Sequence, residues 1–102
     1  MGEFVPVCKE NDCHEGEIKG FTLKGKRIFI AKSGGKFFSS DSICTHAGGP
    51  LEEGYLEEKC IMCPLHGAQF DIETGAVLTP PAVRPLATHK VKVEGEQVFV
   101  EL

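Results

Sequence analysis

Four side chains in this sequence have the types and spacing to hold metal: Cys44 and His46 in Cys44-Thr45-His46, and Cys63 and His66 in Cys63-Pro64-Leu65-His66. Sixteen residues separate the two stretches. Two thiols and two imidazoles can close a tetrahedral zinc site. They can equally hold a [2Fe–2S] cluster in which two histidines replace two cysteines on one iron. Zinc sites of the finger type bring in the cysteines as one close pair and the histidines as another. Here each stretch mixes one thiol with one imidazole, which suits two irons with different ligands better than one metal. Cys44 and Cys63 would share one iron, and His46 and His66 the other, so neither stretch could hold an iron alone. Treating all four as ordinary side chains leaves two tight ligand pairs in Gly/Pro-rich stretches without a reason.

The elements that must position these residues read as strands. Phe4 to Cys8 is short and apolar, and Ile18 to Leu23 alternates with polar residues. Leu23-Lys24-Gly25-Lys26 predicts a hairpin turn into Arg27-Ile28-Phe29-Ile30-Ala31, and Gly34-Gly35 predicts a second turn into Lys36-Phe37-Phe38-Ser39. A third hairpin joins His89–Val93 to Gln97–Val100 through Glu94-Gly95-Glu96. Helix signals are poor, and Asn11–Glu15 predicts a loop or a brief helical turn. Short strands at close spacing, punctuated by glycine, predict an all-β antiparallel sandwich or barrel. Gly48, Gly49 and Gly67 stand just beyond candidate ligands, where backbone must curl closely and a Cβ would intrude.

One domain over 1–102 is expected from the length, and 41 % apolar content excludes general disorder. No apolar run reaches a membrane span, so a soluble, cytoplasmic and monomeric protein is expected, with no membrane partner. A net charge of −4 argues against nucleic acid as a partner. Glu52, Glu53, Glu57 and Glu58 lie between the ligand stretches, as solvated surface charge or as steering for a basic partner. Five cysteines leave Cys8, Cys13 and Cys60 beyond the ligands. Cys8 and Cys13, beside His14, could suggest a second metal site, but reduced thiols packing as small apolar groups are the expectation. Cys60 reads as a strand residue behind the second ligand stretch, and His14 and His89 as isolated surface histidines.

The run Cys44-Thr45-His46-Ala47-Gly48-Gly49-Pro50-Leu51, followed by Cys63-Pro64-Leu65-His66-Gly67, resembles Rieske-type ferredoxins. Phe70–Gly75 and the proline stretch Thr79–Pro85 extend the likeness from about Phe4 to the C-terminus. The resemblance implies a Rieske fold, with cluster-binding loops at about 43–50 and 62–68 forming a subdomain inserted into the larger β-structure. It implies one [2Fe–2S] cluster per chain on Cys44, His46, Cys63 and His66, with Thr79–Pro85 covering one side. The implied activity is electron transfer from an NAD(P)H-dependent flavoprotein reductase to a terminal oxygenase of the ring-hydroxylating type, by a protein that is not itself an enzyme. High-potential relatives add a disulfide cysteine to each loop, where this chain has Gly49 and Leu65. They also place hydroxyls where it has Ala68 and Phe70, so the low end of the Rieske range, roughly −150 mV, is expected. His46 and His66 are expected at an exposed tip, ringed by Ala47, Gly48, Pro64 and Leu65 and flanked by Pro81 and Val83. Two alternatives stay open: a small subunit of an NAD(P)H nitrite reductase, and a structural zinc-binding domain.

Overall fold

The computed structural model describes residues 2–42, 50–64, 67–79 and 85–102. Eleven strands run through them: β1 (Phe4–Lys9), β2 (Ile18–Leu23), β3 (Lys26–Ser33), β4 (Lys36–Asp41), β5 (Tyr55–Glu57), β6 (Cys60–Met62), β7 (Gln69–Asp71), β8 (Val77–Thr79), β9 (Thr88–His89), β10 (Val91–Glu94) and β11 (Gln97–Glu101). They form three antiparallel sheets, ordered β1-β11-β10, β2-β3-β4-β9 and β5-β6-β7-β8. The all-β antiparallel expectation holds, and β5–β8, whose strands flank the second ligand stretch, form a sheet of their own as an inserted subdomain would.

The middle sheet explains the third layer. Alternate residues of β3 feed different cores: Phe29 and Ala31 pack with Ile61 and Phe70 of the β5–β8 sheet. Ile28 and Ile30 pack with Val98 and Val100 of the β1-β11-β10 sheet. All four are fully buried. A strand buried on both faces reads as an unbroken apolar run rather than an alternation, and residues 28–31 are such a run. Phe37 and Phe38 of β4 split between the two cores in the same way.

The three predicted hairpins are present. Lys24 and Gly25, Gly34 and Gly35, and Gly95 and Glu96 all have positive φ, the paired left-handed conformation that a two-residue turn between twisted strands requires. The Gly34-Gly35 turn is tied from outside: the Glu15 carboxylate accepts the N–H groups of Gly34 at 2.6 Å and Gly35 at 3.0 Å. Those two backbone bonds, Gly35's first, hold the Glu15 carboxyl below its ordinary value of 4.5. A carboxylate lowered on folding adds stability that is complete above the unfolded value and lost as pH falls through the folded one. Glu15→Gln should therefore lower stability above about pH 4.5, with the gap to wild type closing in more acid buffer. Urea unfolding of both proteins at pH 7 and pH 3 checks this, and an equal gap at both pH values would contradict it.

One strand boundary and one histidine differ from expectation. The alternation over 89–93 spans a change of sheet. β9 pairs with β4 through Ser39↔His89, and the chain then crosses to β10, which pairs with β11. His89 is accordingly not a surface residue. Its side chain is 11 % exposed, and Nε2 lies 2.9 Å from Asp41 Oδ1. His14 is exposed as expected, and residues Glu10–Asp12 form a single 3-10 turn. Cys8 and Cys13 are buried in the second core, and burial pushes the Cys13 thiol up to about 11. Both behave as the small apolar side chains expected of them.

Candidate metal centre

Three breaks in the strand pattern leave from one packed unit. Leu51 N–H donates to Ser42 O at 2.7 Å, closing the chain on either side of segment 43–50. Cys63 N–H donates to Ala68 O at 2.8 Å, closing a second neck around 64–67. Past residues 80–84, Leu86 N–H donates to Gly75 O at 2.8 Å and brings the chain back against the β7–β8 turn. Leu51, Cys63, Ala68 and Leu86 all belong to the core shared by β3 and the β5–β8 sheet. A buried anchor at each neck fixes where the intervening residues start and stop.

Of the four candidate ligands, Cys63 lies within the described residues, and Cys44, His46 and His66 lie outside them. So do Ala47, Gly48, Leu65, Pro81 and Val83, which were expected around the exposed tip, and Gly49; Pro64 is described and exposed. Among the described residues no group of three or more His, Cys, Asp or Glu is placed to hold a metal ion. Cys63 is 1 % exposed. Side chains alternate faces along a strand, and Ile61 points into the core. Continuing that alternation brings Cys63 into the same core while Cys60 and Met62 face the other way. Cys60 is half-buried on that outer face, opposite Glu57 and Asp71, with its thiol 3.5 Å from Gln69 Oε1. Burial, and then those two carboxylates, raise its pKa.

Two glycines stand at the necks, for different reasons. A Cβ at Gly54, just past the first neck, would run into the carbonyl oxygen of Met62, just before Cys63. The exit of the first segment and the entry of the second therefore touch backbone to backbone. Gly67 has φ of +71°, and among the described residues no atom lies within 4 Å of where its Cβ would sit. The positive φ is the conformation expected of a glycine at this position. Ala68 and Phe70 are fully buried and carry no hydroxyl toward the site.

The acidic cluster between the ligand stretches divides. Glu53, Glu57 and Glu58 are exposed. Glu52 is neither solvated nor placed for steering, because its side chain is 13 % exposed and paired with Arg27 at 2.6 Å. Burial alone would raise its pKa, but the Ser42 hydroxyl and the Arg27 guanidinium outweigh that and hold it below 4.5. Sequence reading missed this pairing, since Arg27 lies 25 positions away on another strand.

What is described of the site suits a two-iron cluster. A buried thiol stands at a pinned neck, a left-handed glycine follows the second ligand pair, and both ligand-bearing segments depart from one core. Those features suit a group that must be gripped from two sides and shielded from water. Among the described residues no helix is long and apolar enough to cross a membrane.

Comparison with known proteins agrees with this arrangement. The family model for the Rieske [2Fe-2S] domain matches residues 3–98. The ferredoxin component of the naphthalene 1,2-dioxygenase system of Pseudomonas putida is 36 % identical over 100 residues, covering 98 % of this chain and 96 % of that one. The ferredoxin component of biphenyl 2,3-dioxygenase from Rhodococcus jostii is 40 % identical over 96 residues, covering 94 % and 90 %. Among solved structures, the Sphingomonas yanoikuyae B1 ferredoxin superposes with a TM-score of 0.92 at 30 % identity, over 98 % of this chain and 99 % of that one. A complex of reduced oxygenase and oxidized ferredoxin in carbazole 1,9a-dioxygenase contains a chain matching with a TM-score of 0.92 at 30 % identity, over 96 % and 92 %.

Proposed function

The chain belongs to the Rieske [2Fe-2S] domain family, and from that premise we propose that it carries single electrons from an NAD(P)H-dependent flavoprotein reductase to a terminal oxygenase of the ring-hydroxylating type. One [2Fe–2S] cluster per chain is held by Cys44 and Cys63 on one iron and His46 and His66 on the other. Residues 1–102 act as a single domain. The observation that carries the reading is the common origin of the necks: two ligand-bearing segments and the proline segment all spring from one buried core. The relatives named as dioxygenase ferredoxin components supply the direction of transfer.

Bound, the cluster supplies a one-electron couple. The protein's own residues grip, orient and shield it. Cys63 brings its thiol from the core side. Gly54 lets the two necks meet, so the ligand pairs keep a fixed spacing without a rigid element between them. Four protein ligands leave no open metal position for a substrate, so chemistry on substrate belongs to the oxygenase. Partners must approach the histidine side, because electron transfer needs close contact, and loop tips are where partners reach. Docking is small and weak, as in other redox encounters, and the carrier works as a cytoplasmic monomer. Neither the zinc nor the nitrite-reductase alternative has a counterpart among the relatives described above.

The test is assembly followed by transfer. Purified protein should contain two irons and two inorganic sulfides per chain and be red-brown. NADH and an aromatic-dioxygenase reductase should bleach it, and adding the oxygenase should restore the colour. Colourless protein that binds one zinc would sink the proposal.

A further inference from the structure

We propose that Glu52 is a positioning residue for the first ligand segment, clamping its two ends together against β3 through Ser42 and Arg27. The inference rests on the electron-carrier reading above and adds to it a device that sets the geometry of one half of the centre.

The clamp is built from three parts of the chain. Ser42 is the last described residue before the segment, and Leu51 and Glu52 follow it. Ser42 N–H donates to Arg27 O at 3.0 Å, and Ser42 O accepts from Leu51 N–H at 2.7 Å. The Ser42 hydroxyl donates to Glu52 Oε1. Arg27 then closes the circuit, donating Nε at 3.1 Å and Nη2 at 2.6 Å to Glu52 Oε2. Its remaining arm donates Nη1 to Thr22 Oγ1 at 3.1 Å. The guanidinium is thus fixed by three bonds in one plane, and the carboxylate is bonded through both oxygens.

The surroundings are shaped for this pair. Gly20 on β2 lies beneath it, and a Cβ there would sit 2.6 Å from Glu52 Cδ and 2.7 Å from Arg27 Nη2. Ser42 is fully buried and Glu52 mostly so, while the Arg27 side chain is 41 % exposed. A pair so placed is a poor source of net stability, since well-packed apolar side chains do as well or better. What the pair does supply is direction. Two guanidinium N–H groups converge on Oε2 while the Ser42 hydroxyl holds Oε1; charge-assisted bonds to both oxygens orient the carboxylate, and that orientation ties both ends of the ligand-bearing segment to β3.

The experiment compares wild-type holoprotein with Glu52→Gln, Arg27→Gln, the double variant and Gly20→Ala. Release of the cluster to an iron chelator, followed by bleaching, should be faster by about tenfold or more in each single variant, since charged hydrogen bonds contribute ~1.5–3 kcal/mol. The double variant should be no faster than the quicker single, because the partners act as one unit. Amide exchange read by mass spectrometry should quicken at Ser42 and Leu51 by a similar factor and stay unchanged in β10 and β11. The electron-spin signal should broaden in the same variants. Wild-type release and exchange rates in Glu52→Gln would overturn the clamp, as would equal quickening in β10 and β11, which marks general loosening. Wild-type protein that holds no cluster overturns the electron-carrier reading together with the clamp. Wild-type protein that passes electrons beside unaffected variants overturns the clamp alone.

Discussion

Cys63→Ser is expected to abolish the visible colour and the electron-spin signal, while Cys60→Ser leaves both unchanged. The two cysteines are three positions apart, so spacing alone could confuse them, but the pleat separates them. Ile61 enters the core, Cys63 follows it there, and Cys60 points to the outer face beside Gln69. A serine at 63 offers a much harder and less acidic donor than thiolate to an iron that prefers sulfur. Its effect should therefore approach complete loss of bound iron. His46→Cys should alter or abolish the electron-spin signal, because it removes an imidazole from the histidine-ligated iron. Iron and sulfide analysis with low-temperature spectra of each variant would decide. Cluster loss in Cys60→Ser with retention in Cys63→Ser would reverse the assignment.

Gly54→Ala should produce the next largest effect, although alanine adds a single methyl group. The new Cβ would overlap the Met62 carbonyl oxygen. Neither side can yield cheaply: Gly54 N–H is bonded to Leu51 O at 2.9 Å, and Met62 pairs across β6 with Tyr55 and Gln69. Forcing atoms into such a contact costs about 1–3 kcal/mol and occasionally more, and a backbone neighbour places this case at the upper end. Because the strain lies between the two necks, the expected outcome is a lower denaturant midpoint together with low cluster content after reconstitution. Gly67→Ala is the matched comparison. Its Cβ meets no atom of the described residues, but the residue must adopt positive φ, so about 1–2 kcal/mol is expected from conformation. Equal midpoints for Gly54→Ala and wild type would show that the necks are not in contact in solution.

The sequence carried the chemistry more openly than the architecture. Two Cys/His pairs at short spacing announce metal ligation, and glycine pairs or Gly95-Glu96 between apolar runs announce hairpins, because those signals are local. The unbroken apolar run over Ile28–Ala31 is the mark of a strand buried on both faces, but it does not say which elements supply the two cores. Residues 89–93 alternated so regularly that one strand was expected, yet the chain changes sheets at Lys90, a crossing that leaves no mark on polarity. Glu52 looked like one more surface acid, since its partner Arg27 lies on a strand 25 positions earlier. Gly54 carries no signal of its own in the sequence, because its close contact is with the carbonyl of Met62, eight positions later on β6.

Glu3 and Leu102 exchange two backbone hydrogen bonds, of 2.9 and 3.0 Å, and β1 lies beside β11 in the sheet that feeds the second core. Polypeptide joined before residue 3 or after residue 102 would therefore leave from one spot, beside the second core. Such a fold is portable. A host protein could receive it through a single opening in a surface turn, and a tether of a few residues could join its two ends into a ring. New start points could then be cut at the exposed hairpins, making the order of the strands along the chain an engineering variable while the electron-carrying end stays as it is.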